Sequence, residues 1–138
     1  MPSYEVRLGP ECDSPGNAMH ELGHVLGFFH EHQRPDRDQY IIINEDGIQD
    51  SQVAEDAYRR YDGYVNSLGV EYDYASIMHY SKRAFAKPGE VAFKINKSKK
   101  LPECLPEVGQ RKSISRKDID QINKLYNCPG RHLSIQEK

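Results

Sequence analysis

The chain has 138 residues, 29% of them charged and 37% hydrophobic, with a formal net charge of −2. That length fits one domain with a single modest core. No apolar run approaches the roughly 18 residues that cross a bilayer. The near-neutral balance gives no electrostatic case for nucleic acid or an anionic membrane, and the basic stretch at residues 94–100 is short enough to be a solvated loop face.

Residues 1–9 carry neither the basic nor the apolar region of a secretory signal. Ser14 followed by Pro15 has the chemistry of a helix cap and first turn, so a helix is expected over residues 15–26, ending at Gly27. This helix carries the most informative run of the chain, HELGHVLGFFH at residues 20–30. Residues four apart share a helix face, so His20 and His24 can aim two imidazoles at one ion while Glu21 projects beside it. Gly27 lets the chain leave the helix at positive φ, which returns His30 as a third nitrogen donor. Three ligands leave one position open, the arrangement of catalytic rather than structural zinc. Glu21 lies between two ligands and is placed as a base, not as a ligand. Met19, Leu22, Val25 and Leu26 form the face turned away from the ion. A lone histidine such as His32 or His132 reads as a solvated surface residue.

The charged segment 34–38 follows as a loop. Residues 41–44 read as a short strand, 44–47 as a turn, 52–61 as a polar helix, and 62–73 as a loop rich in Gly and Tyr. Alternation at 91–95 suggests a second short strand, and 97–108, with two prolines and Cys104, a surface loop. Ser115 caps a last helix with Asp118 completing a capping-box-like pair; Ile119, Ile122 and Leu125 are expected to form its buried stripe. Residues 129–138 form a polar tail. The three cysteines, Cys12, Cys104 and Cys128, cannot all pair within one chain.

From His20 to Tyr40 the sequence HELGHVLGFFHEHQRPDRDQY resembles the astacin signature HExxHxxGFxHExxRxDRDxY at every specified position. Farther on, YDYASIMHY at residues 72–80 is similar to the astacin Met-turn, while GQR at 109–111 and SRKDIDQINKLYNC at 115–128 resemble the C-terminal helix and cysteine of that family. The resemblance implies a zinc endopeptidase acting on protein or peptide substrates. In it His20, His24 and His30 are the zinc ligands, Glu21 is the general base, Met78 floors the metal site, and Tyr80 is a switchable further ligand. The implied fold is α+β, a metzincin-like zincin, with residues 1–128 forming a partial peptidase domain.

Only residues 1–19 precede the first ligand, where the family places an upper sheet lobe, so the chain is expected to be mainly the helical and irregular C-terminal lobe. An inactive truncated fragment or a zinc-binding pseudoenzyme is the alternative, and a zinc-free scaffold a third reading. The resemblance also implies a secreted protein, disulfides from the cysteines matching Cys12 and Cys128 to partners farther upstream, an internal ion-pair network at 34–38, and contact of Glu31 with a processed N-terminus. Arg111 is a candidate for recognising an acidic residue after the scissile bond, weighed against a purely structural ion-pair role.

Overall fold

A computed structural model of the chain describes Gly9, residues 14–98 and residues 105–129. Helix α1 spans Pro15–Val25, with Ser14 Oγ accepting from the Asn17 amide at 3.2 Å and Pro15 in the first turn. It ends in a Schellman motif: the Gly27 amide bonds to His24 O at 2.9 Å and the Phe28 amide to Gly23 O at 3.0 Å. Gly27 sits at φ 92°, a conformation that a side chain would strain. The predicted reversal after the histidine helix is therefore present, and it follows from this one glycine.

Strand β1, Ile41–Ile43, pairs antiparallel with β2, Phe93–Ile95, in the register Ile41 to Ile95 and Ile43 to Phe93. Both strands fall within the expected segments but are shorter; Ala92 already donates its amide to Lys82 O at 2.8 Å. Between them lies α2, Ser51–Tyr58, one residue earlier at its start than expected and three shorter at its end. Asp50 supplies the cap, its carboxylate accepting from the Val53 amide at 2.8 Å. Arg59 turns extended, and the Arg37 guanidinium takes the Tyr58 carbonyl at 2.6 Å.

The small sheet, α2 and the loops around them bury one cluster of Ile41, Ile48, Tyr58, Tyr72, Tyr74, Ala92 and Phe93. The cluster is rich in tyrosine, and two of its phenols are anchored on backbone: Tyr74 donates to Tyr40 O at 2.9 Å and Tyr58 to Ala84 O. Beside it, segment 31–39 folds into two short 3-10 turns, Glu31–Gln33 and Arg37–Gln39. Their ion pairs match the expected internal network. Arg34 is buried and pairs with Glu31 at 3.0 Å and Asp36 at 2.8 Å.

Helix α3, Arg116–Leu125, carries the capping box expected from Ser115 and Asp118. Its apolar stripe does not behave as expected: Ile119 is 36% and Leu125 45% exposed. The buried residue of this helix is Asp118. It docks through a polar contact, because the carboxylate reaches the Ile77 amide and the Ser76 hydroxyl in the loop opposite, which would otherwise be buried without partners. Cys128 is exposed and free. Cys12, Cys104 and His132, with the disulfide pairing expected of the first, lie outside the described residues.

Candidate metal centre

Helix α1 and the turn after it bring His20, His24 and His30 together. One ring nitrogen from each lies within 4.8 Å of the other two. The outward nitrogen of each ring is already engaged. His20 Nδ1 bonds to Ile77 O at 2.8 Å, His24 Nδ1 to Phe28 O at 2.8 Å, and His30 Nδ1 to Gln33 Oε1 at 3.0 Å. All three partners are oxygens that can only accept, so each Nδ1 carries the proton and each Nε2 keeps its lone pair. Burial pulls His20 below the ordinary histidine range and His30 down to about 4, so both rings are neutral at neutral pH. Three converging imidazoles, each with Nδ1 taken up by an acceptor oxygen, fit a zinc ion.

Met78, 1% exposed, lies with its thioether against Gly23 of α1. A Cβ on Gly23 would stand 2.5 Å from its sulfur, so a larger residue here would have to push aside the thioether on which α1 rests. Nothing local in the sequence marks Gly23, because the side chain it meets lies 55 positions away. The Met78 carbonyl accepts from the Glu31 amide at 3.1 Å, joining the turn to the segment that carries His30.

Asp118 holds the same turn from the other side. Its carboxylate accepts from Ser76 Oγ at 2.7 Å, the Ile77 amide at 2.9 Å and the Ser115 amide at 3.0 Å. The Ile77 carbonyl in turn holds His20. The role expected of Asp118, a helix cap, is therefore half of what it does.

The Tyr80 ring lies against His30 at 4.4 Å between centroids and stacks on His32 at 4.1 Å. His32 departs from expectation: instead of being solvated it is 0% exposed. Its Nε2 bonds to Ala57 O at 2.8 Å, which leaves Nδ1 as the buried side-chain polar atom without a hydrogen-bond partner among the described residues. His79, also fully buried, donates from Nδ1 to Tyr80 O at 2.8 Å and accepts the Tyr72 hydroxyl at 2.6 Å. Burial holds it neutral, near 4.

Glu21 is half-buried on α1. Arg111, also half-buried, feels both Glu21 and Tyr80, while its Nη1 donates to His79 O and Gln110 O at 3.0 Å each. Glu31 Oε1 accepts from Arg34 and from the Asp73 amide, the latter at 2.8 Å, and its burial raises the carboxyl to about 7. A cavity of about 320 Å³ opens beside it, lined in part by Phe28, Arg34, Met78 and Leu125.

The profile of the peptidase family described as Astacin matches residues 2–127. The chain belongs to the astacin family. As an astacin-family chain it is 42% identical over 132 residues to tolloid-like protein 1 of Homo sapiens, covering 96% of this chain and 13% of that protein. It is 45% identical over 128 residues to a bone morphogenetic protein 1 homolog of Strongylocentrotus purpuratus, covering 91% and 19%. The chain thus spans less than a fifth of the length of these curated relatives. Among solved structures it is similar to high choriolytic enzyme 1, a hatching enzyme zinc-protease of Oryzias latipes (medaka fish), with a TM-score of 0.69 and 40% identity over 82% of this chain and 52% of that one. The likeness supports a zincin-like fold, of which α1, α2, α3 and the two-stranded sheet are part.

Proposed function

We propose that this chain is the metal-binding part of a zinc-dependent endopeptidase that hydrolyses peptide bonds in protein or peptide substrates. The carrying observation is the convergence of one ring nitrogen from each of His20, His24 and His30, with every Nδ1 held by an oxygen acceptor and Nε2 left to face the ion. Zinc held there would polarise a scissile carbonyl and lower the pKa of a water to about 7.

The protein's own groups account for the proton movements. Glu21, between two ligands on α1, accepts a proton from the attacking water and delivers it to the leaving amine. The Tyr80 phenol, which the resemblance also makes a switchable ligand, donates a hydrogen bond to the oxygen that gains charge. Contacts of that kind contribute about 2.7–4 kcal/mol in acyl-transfer sites. Burial raises the Tyr80 phenol above its ordinary value, so it keeps the proton it has to donate. A secreted setting belongs to the same reading. Among the described residues no helix is long and apolar enough to cross a membrane.

Elemental analysis after dialysis should find one zinc per chain, and His24→Ala should release it, because two ligands remain. Retention of a full equivalent by His24→Ala would sink the ligand set. Tyr80→Phe should keep the zinc and lower kcat while leaving KM nearly unchanged, since its contact forms in the transition state. An unchanged kcat removes that role. A second reading, a chain that binds zinc without turning over peptides, is favoured by one observation: Leu22 and Val25 on α1 are 50% and 44% exposed. Zinc retention without any peptide cleavage would decide for it.

A further inference from the structure

The three ligands are not held alike. His20 and His24 are oriented by backbone carbonyls, which no side-chain substitution removes, whereas His30 is oriented by the side chain of Gln33. Gln33 is 4% exposed and occupied at both ends: Oε1 accepts from His30 Nδ1 at 3.0 Å, and Nε2 donates to Ala57 O at 3.2 Å. The order of these roles is forced. A carbonyl can only accept, so the Gln33 nitrogen must face Ala57, its oxygen must face His30, and His30 must therefore present Nε2 as a bare lone pair. The same Ala57 carbonyl, in the last turn of α2, also accepts from His32 Nε2, and the His32 ring carries Tyr80.

We infer that Gln33 is a positioning residue for the metal centre: its carboxamide sets the tautomer and aim of His30 and ties them to the end of α2, so residue 33 tunes the affinity of the site for zinc. This rests on the ligand set proposed above. Groups that hydrogen-bond the far nitrogen of a ligating histidine characteristically change metal affinity roughly 10- to 100-fold when removed. Alone among the three supports, this one can be varied by sequence. A carboxylate at the same position would still accept from Nδ1 and would increase the electron density on the ring, while losing the bond to Ala57.

The experiment is competition for Zn²⁺ between the full chain and a chromogenic chelator at neutral pH, on the unsubstituted protein, Gln33→Leu and Gln33→Glu, with the melting temperature of each metal-free protein recorded alongside. Gln33→Leu should bind zinc roughly 10- to 100-fold more weakly, and Gln33→Glu should bind at least as tightly as glutamine. The Co²⁺ forms give a second readout, since a reoriented His30 would alter the visible absorption of Gln33→Leu and not that of Gln33→Glu. Zinc affinity of Gln33→Leu within twofold of the unsubstituted chain overturns the inference. So does a parallel loss in both variants that tracks their melting temperatures, which is the mark of a merely structural residue. An unsubstituted chain that holds no zinc would instead overturn the ligand set itself.

Discussion

Asp118→Ala should lower the unfolding free energy by about 3–5 kcal/mol, a large share of the roughly 5–15 kcal/mol typical of a domain. The carboxylate is 3% exposed and accepts from three donors, the Ser76 hydroxyl and the amides of Ile77 and Ser115. Hydrogen bonds to a charged group are worth about 1.5–3 kcal/mol each, and donors left buried and unpaired cost more than the bonds themselves. The damage should also reach the metal: with Ile77 released, the carbonyl that orients His20 loses its place, and zinc affinity should fall together with stability. Asp120 on the same helix offers the contrast. Its pair with Arg116 spans 3.4 Å with both side chains 44% exposed, and Asp120→Ala should change stability by less than about 1 kcal/mol. Denaturant unfolding of the zinc-loaded variants measures both. A loss below about 1 kcal/mol for Asp118→Ala would refute its bracing role.

Glu21→Gln should leave zinc content at one per chain and reduce peptide turnover by about 10²–10⁴-fold, the range that a positioned general base contributes. Glutamine preserves the shape of the side chain and one acceptor oxygen but cannot take up the proton. Folding should be unaffected, because Glu21 is half-buried at the surface of α1. The two readouts separate two errors. Loss of zinc with the fold intact would make Glu21 a ligand, and undiminished turnover would place the base elsewhere.

The clustering of the three histidines was readable in the sequence because its causes are local. His20 and His24 are brought together by one helical turn, and Gly27 reverses the chain at φ 92° within three residues of His30. Ser14 and Pro15 start α1, and Ser115 with Asp118 starts α3, through hydrogen bonds that span no more than three residues. Such features follow from backbone geometry and need no knowledge of the rest of the fold.

What surrounds the three histidines depends on contacts across long separations. Gly23 packs on Met78, Asp118 on Ser76 and Ile77, and His32 is buried by Ala57 and Tyr80. None of these has a local signature: His32 looks like any polar residue in a charged loop until Tyr80 covers it. The apolar positions of α3 misled for the same reason. Periodicity reports which side chains share a face, but only the neighbouring loop decides whether that face or a single carboxylate is what docks. The sequence by itself thus determined the three nitrogen donors and the turn that gathers them. The tertiary structure decided their tautomers, since the proton on each Nδ1 is placed by Ile77, Phe28 and Gln33, oxygens set where they are by the folded chain.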